Sequence, residues 1–168
     1  MHAMGWCTRR AVPLAPMVAA VGVVLSGVGA APAAASTVVP LSNQIRACDF
    51  VKHLFVGGMG AGGGSGLADI GTQGSEVRAV VSLQSARPDT DYQVRLIQLP
   101  RSSAATCHPG DPGVAGAVLH TDASGTAAVT VTDALNSGAT AAWVIVEGPP
   151  PPGQIRGEVY TSDFPAKL

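Results

Sequence analysis

The chain has 168 residues, and its ten Lys and Arg residues nearly balance eleven Asp and Glu residues, for a formal net charge of −1. The basic residues are scattered and form no stripe that would neutralise a phosphate backbone, which disfavours nucleic-acid binding. This length predicts one ordinary domain behind an N-terminal targeting segment.

Residues 1–35 have the parts of a cleaved secretory signal peptide. A short basic region with Arg9 and Arg10 precedes an uncharged apolar run, and small residues follow up to Ala35, where we place the cleavage site. A retained anchor is the alternative, because about 20 apolar residues can span a bilayer. Arg9-Arg10 also fits a twin-arginine export signal. No second long apolar run follows, so we expect an extracellular or cell-envelope protein without a membrane span in its mature chain.

Residues 36–47 are interpreted as an N-terminal extension, and residues 48–168 as the domain. The mature chain keeps two cysteines, Cys48 and Cys107. An even cysteine count in an exported chain predicts a disulfide. Closing a loop of this size stabilises by about 4 kcal/mol in the chain-entropy picture. Two buried free thiols are the alternative, and a metal site is disfavoured because no C-x-x-C spacing occurs.

The stretch VGGMGAGGGSG at residues 56–66 contains a formal G-x-G-x-x-G on Gly58, Gly60 and Gly63. A dinucleotide loop requires a helix directly after the glycines, so that the helix N-terminus faces the pyrophosphate. The sequence that follows has no helical apolar stripe, and we interpret the stretch as a slack loop. Ser65 is not in a nucleophile elbow, because Leu67 stands where that motif requires glycine.

Short apolar runs with a period of two predict an all-β domain. In residues 76–84, for example, Val77 and Ala79 alternate with polar residues. Residues 141–148 are apolar on both faces, as expected of a central strand, and Trp143 is the largest core candidate. About seven strands with short turns predict an antiparallel immunoglobulin-like β-sandwich. The predicted strands are 48–56, 76–84, 91–99, 115–122, 126–133, 141–148 and 154–163.

The run GPPPPG at residues 148–153 predicts a stiff, extended loop between the last two strands, because proline cannot donate to a β-ladder. A polyproline II ligand for an aromatic groove is the alternative.

Histidine, serine and aspartate side chains are present, but no sequence motif places them at the spacing of a catalytic or metal site. His53, His108 and His120 lack the paired spacing that copper and zinc sites use. A mixed site of His108 with Cys107 and Asp111 is the alternative to a solvated loop, which we favour. No serine is marked as a nucleophile. We therefore predict no catalytic residue, no metal ligand and no cofactor.

The stretch LQSARPDTDYQVRL at residues 83–96 resembles the L-x-P-x-T-x-Y turn and strand of fibronectin type III and related immunoglobulin-like sandwiches. Leu83, Pro88, Thr90 and Tyr92 carry the resemblance. In type III modules this tyrosine lies late in the domain, whereas here three or four predicted strands still follow. The resemblance implies a sandwich fold.

Copper/zinc superoxide dismutases open with a similar strand–turn–strand and carry His-x-His on the second strand. Residues 92–95, YQVR, hold no histidine, so that enzyme is excluded. The whole layout resembles small exported β-sandwich proteins of actinobacteria, which implies the fold and no particular activity.

We therefore expect a secreted or cell-envelope, non-catalytic module that serves binding or structure. Its contacts to a cell-surface or protein partner are expected in loops 57–75, 101–114 and 148–153, because a rigid sandwich places recognition in its loops. Two alternatives remain: a secreted hydrolase acting on envelope material through His108 or His120, and an extracellular metal-binding protein.

Overall fold

The computed structural model describes residues 35–53 and 62–168. The predicted signal peptide falls almost wholly outside them. The described residues are all-β with antiparallel pairing, as the sequence predicts. They contain no helix with the length and hydropathy needed to cross a bilayer. The strands are β1 (Ser36–Ser42), β2 (Ser65–Gln73), β3 (Glu76–Gln84), β4 (Asp91–Leu99), β5 (Val114–His120), β6 (Ala127–Ala134), β7 (Ala141–Glu147), β8 (Val159–Ser162) and β9 (Ala166–Lys167).

One continuous sheet replaces the expected seven-stranded immunoglobulin-like sandwich. Its hydrogen-bonded order is β5-β4-β7-β8-β1-β2-β3-β6, and β9 pairs with β7 off this path. A short ladder between β8 and β1, with Leu41 opposite Ser162 and Ser42 opposite Thr161, joins what would otherwise be two layers. The path ends at β5 and β6, which contact each other. The sheet is therefore curled into a nearly closed cylinder around its core.

The prediction missed the first two strands of the sheet. Residues 36–47, expected to be an extension, contain β1, which lies between β8 and β2. Pro40 within β1 is tolerated because the ladder to β8 covers only Leu41 and Ser42. Two glycines, Gly66 and Gly71, weaken the strand pattern of β2.

Residues 48–53 were predicted to begin the first strand, and this is wrong. They form turns closed by an isolated bridge between Arg46 and Lys52. Of the apolar residues in this segment, Cys48 and Phe50 pack against other strands, whereas Val51 is exposed.

The main core fills the inside of the cylinder. Residues Val77, Ala79, Val81 and Leu83 of β3 are fully buried there, as their spacing predicts. From the other half of the sheet come inward side chains of β4, β7 and β8. They include Tyr92, Val94, Leu96, Val144, Val146 and Tyr160.

A second apolar cluster lies on the outer face of β4 and β7. Because β7 is central in its half of the sheet, its alternate residues Trp143 and Ile145 are also buried, but on this outer side. Trp143 is thus a core residue of the outer cluster and not of the main core. Ile97, Cys107, Val114 and Val159 complete the buried set.

The segment 43–53 covers this outer cluster and is held there by the predicted disulfide. Cys48 is bonded to Cys107, with the two Cα atoms 5.7 Å apart. The Phe50 ring meets Trp143 edge-on, with the ring centroids 5.4 Å apart. The Arg46 guanidinium also lies over the Phe50 ring, 3.8 Å from its centroid. The disulfide therefore holds segment 43–53 against the outer cluster, in addition to closing a loop.

Candidate functional site

A groove lies at one end of the cylinder, and we call it the loop groove. It has a volume of about 690 Å³, within the range of ligand sites. One wall is the turn between β3 and β4 with the start of β4, and the other is the connection between β7 and β8. The lining includes Asp89, Asp91, Gln93, Glu147, Pro149, Pro150, Ile155 and Arg156.

The connection between β7 and β8 is an ordered loop. Its base closes through the Gly148 N–H, which donates to the Glu158 carbonyl at 2.8 Å. At Gly157 an added Cβ would meet the Pro149 carbonyl within 2.5 Å, so only glycine fits there. Arg87 of the β3–β4 turn donates to that carbonyl at 3.3 Å, which ties the two walls of the loop groove together. The predicted proline loop thus forms one wall of the loop groove.

Carboxylates from β4, from the turn before it and from the end of β7 line the loop groove. Glu147 is paired with Arg95, and Asp91 lies 2.6 Å from Nδ1 of His120. Asp89 sits at φ +47° in the turn, a backbone region that Asp tolerates better than most residues. The side chains of Asp91 and His120 are both more than 60% exposed. Asp89 and Asp91 therefore offer accessible carboxylates on this side of the groove, while Arg156 brings a positive charge to the same lining.

A second groove lies against the covalent cross-link, and we call it the disulfide groove. It has a volume of about 430 Å³ and shares Glu147, Arg156 and Val159 with the loop groove. Both half-cystines contribute to its lining. Its other lining residues are Ile45, Arg46, Ala47, His53, Arg95, Trp143 and Ile145.

Two donors at the disulfide groove are buried without an acceptor. Within the described chain, neither Nε1 of Trp143 nor Nε of Arg46 has a hydrogen-bond partner. The other nitrogens of Arg46 donate to the Phe50 carbonyl at 3.2 Å and to the Asp163 carbonyl at 3.0 Å. Burial lowers the pKa of Arg46, and the nearby Asp163 charge opposes this in part. A buried donor left unpaired costs about 1–3 kcal/mol.

A carboxylate between two tyrosines closes the core beneath the loop groove. The Tyr92 hydroxyl donates to Glu158, and the Tyr160 hydroxyl donates to the same oxygen at 3.1 Å. Burial, then the charge of Glu158, raises the pKa of Tyr160 to about 12. Burial and the bond to Glu158 also raise the pKa of Tyr92. Both phenols are therefore held neutral as donors to Glu158.

The glycine-rich stretch is only partly as predicted, and Gly58 and Gly60 lie outside the described residues. A strand, β2, begins directly after the glycines, where a dinucleotide loop would need a helix. Gly62 and Gly64 are packed rather than slack. An added Cβ at Gly62 would overlap the Tyr160 hydroxyl, and one at Gly64 would lie 2.7 Å from the Ala86 nitrogen.

The loop 101–113 is organised by its own polar contacts. Arg101 Nη1 donates to the Pro112 carbonyl at 2.8 Å, and Nε donates to the Thr106 carbonyl at 2.8 Å. Asp111 accepts from the Thr106 hydroxyl and from the His108 N–H, and these bonds lower its pKa, the first most strongly. This part of the expected contact surface is an internally braced loop.

The three histidines of the described residues lie in different places. His53 is exposed and lines the disulfide groove. His108 is exposed on the loop, 3.8 Å from Asp111. His120 pairs with Asp91. Among the residues that the structure describes, no three His, Cys, Asp or Glu side chains converge on a point that would hold a metal ion.

Sequence reasoning missed Arg46, Glu158 and Ile155. Arg46 lies in a segment read as an extension, and a lone arginine carries no mark of burial. Glu158 and Ile155 fall in the alternating run 154–163, which predicted a single strand. The structure instead has a loop in the first half of this run, before β8. The signal available was Gly157, since a glycine inside a strand pattern often marks a close backbone approach.

Comparison of the chain with protein-family models, with curated proteins and with solved structures finds no match in any of the three. The two grooves are therefore the features of the described chain from which a function can be inferred.

Proposed function

We propose that this protein is an exported, non-catalytic binding module that holds an extended segment of a partner protein in the loop groove. The observation that carries the proposal is Ile155, which is 93% exposed at the edge of that groove. Pro149 and Pro150 lie in the same wall. Apolar groups rimmed by polar ones are typical of interaction sites.

The partner segment is expected to combine apolar residues with a basic one. The proline wall is stiff, so little conformational entropy is lost when a ligand packs against it. On the opposite wall Asp89 and Asp91 are exposed and negative. Glu147 is already neutralised by Arg95. An extended chain with a lysine or arginine between apolar side chains would complement both walls.

Export is part of the proposal. It is supported by the predicted signal peptide at residues 1–35 and by the Cys48–Cys107 disulfide, since disulfides persist in oxidising compartments. Fractionation of a bacterial host that produces the full chain tests this point. A shortened, oxidised product outside the cytoplasm is expected, whereas a full-length product in the cytoplasm would contradict export.

The binding proposal can be tested with two fluorescent peptides that alternate valine with lysine or valine with glutamate. Fluorescence anisotropy should show tighter binding of the lysine peptide, by about fivefold or more for one or two exposed ion pairs. Ile155→Ser should weaken that binding without changing the melting temperature. Val38→Ser, at an exposed valine on the other half of the sheet, is the matched control. Equal binding of both peptides, or equal effects of the two variants, would reject the proposal.

A hydrolase is the second candidate, and the pairing of His120 with Asp91 favours it. A histidine oriented by a carboxylate is part of a nucleophilic site. Hydrolysis of an activated ester by the full chain and by His120→Gln decides between the two. Our proposal expects the same rate for both proteins. A rate that falls by about tenfold or more in the variant would instead support acid–base catalysis.

A further inference from the structure

We propose that the disulfide groove is a second binding site, for a small molecule that carries a carboxylate on an apolar body. The site is distinct from the proposed peptide site, although the two grooves share part of their lining. Its volume of about 430 Å³ falls within the range of small-molecule sites.

Unpartnered donors carry the inference. Trp143 is 1% exposed and Arg46 is 8% exposed, and both line the groove. Each holds a buried N–H with no acceptor in the described chain. Nearly all buried polar groups in proteins are paired, so each exception calls for an explanation. Both nitrogens are closed to solvent, so a ligand oxygen that displaces the covering side chains and reaches either donor would remove that cost.

The charge balance selects an anion. Arg46 donates to two backbone carbonyls, and within the described residues no carboxylate forms an ion pair with it. Buried charges are normally paired with an opposite charge. Around the groove, Glu147 is matched by Arg95, and Asp163 acts on Arg46 only from a distance. His53 adds a titratable group at the edge of the groove.

The apolar lining selects the rest of the ligand. Ile45, Ile145, Val159 and the disulfide sulfurs form the walls. These groups would cover a hydrocarbon body while the carboxylate meets Arg46 and Trp143. A free inorganic anion would leave the walls without a partner.

Backbone strain at the same place is a supporting observation. Phe50 has φ +72°, an unfavourable region for an aromatic residue. It packs there against both Trp143 and Arg46. Strained residues cluster at ligand sites, where the surrounding structure fixes them. Phe50 thus holds in place the two side chains that are proposed to meet the ligand.

The test compares decanoate with decanamide, a neutral molecule of nearly the same shape. The protein tested is the full chain with the substitution Trp6→Phe, so that Trp143 is its single tryptophan. Its indole N–H resonance should shift saturably with decanoate, and calorimetry should show decanoate binding at least about tenfold more tightly than decanamide, as expected for a hydrogen bond to a charged group. Equal affinity for the two molecules, or an indole resonance that does not move, would overturn the proposal.

Variants then locate the site. Arg46→Gln should weaken decanoate binding by about tenfold or more. Arg78→Gln, on the opposite outer face and bonded to Thr130, should leave it unchanged. Trp143→Phe keeps an aromatic ring and removes only the indole donor, so it should weaken binding to a smaller extent. If Arg46→Gln does not fold, the decanoate–decanamide comparison still decides, and equal losses in the Arg46 and Arg78 variants would place the anion elsewhere.

Discussion

Alkaline titration tests the buried cluster in which Glu158 accepts from Tyr92 and Tyr160. These are the two tyrosines of the chain, and both are fully buried. Unfolded, Tyr160 has a pKa of 10.0, whereas in the fold its pKa is about 12. Because the folded pKa is the higher one, the stabilisation is complete below pH 10.0 and is lost as the pH rises through 12.

The magnitude follows from that difference. Two pH units correspond to about 3 kcal/mol at about 1.4 kcal/mol per unit. Tyr92, whose pKa is raised in the same direction, adds to the loss. Since small domains are stable by only about 5–15 kcal/mol, the alkaline loss should be a large part of the total.

Two measurements check this expectation. Ultraviolet absorbance of the phenolate should show that neither tyrosine ionises near pH 10.0 in the folded protein. Urea unfolding at several pH values should show a free energy of unfolding that falls between pH 10.0 and pH 12. Tyr160→Phe should reduce that slope to the part that Tyr92 contributes, because one of the two titrating groups is gone. Tyrosines that ionise near their ordinary pKa while the protein stays folded, or an unchanged slope in the variant, would refute the reasoning.

Three further predictions concern stability. Reduction of the disulfide, which spans a sequence separation of 59, should lower the free energy of unfolding by about 4 kcal/mol; an unchanged urea midpoint under reductant would contradict this. Gly62→Ala should destabilise by about 1–3 kcal/mol, because its Cβ would overlap the Tyr160 hydroxyl. Gly63→Ala, where a Cβ would meet open space, is the matched control; equal melting temperatures would show that Gly62 is not packed. The pKa of Asp122 is lowered chiefly by the Ser124 hydroxyl, so its stabilisation should be present above pH 3.8 and lost as the pH falls through the lower folded pKa. The free energy of unfolding of Asp122→Ala, measured in urea, should therefore depend less on pH in that range. An identical pH dependence would show that the hydrogen bonds of the Asp122 carboxylate do not stabilise the fold.

Local patterns predicted the strands that have strong alternation. The run 76–84 coincides with β3, and 91–99 coincides with β4, because a period of two is a property of neighbouring residues alone. Residues 141–147 of the run 141–148 form β7. Strands that contain proline or several glycines, such as β1 and β2, were missed because their local preference is weak and pairing with neighbours stabilises them.

The grooves could not be predicted in the same way. Arg46 and Trp143 are far apart in the sequence, and they meet because segment 43–53 crosses the outer face of β7. Ile155 is exposed because Gly157 and the Gly148–Glu158 hydrogen bond fold the chain back before β8. No local spacing encodes these approaches.

The sequence by itself determined the antiparallel all-β class, most of the strands and the pairing of Cys48 with Cys107. These follow from short-range periodicity, from turn residues and from the number of cysteines left for pairing. The tertiary structure alone decided the closure of the sheet, the outer apolar cluster and the two grooves. The order of the strands and the path of segment 43–53 across the sheet are set by packing between residues that are distant in the chain. Such packing leaves no local pattern in the sequence.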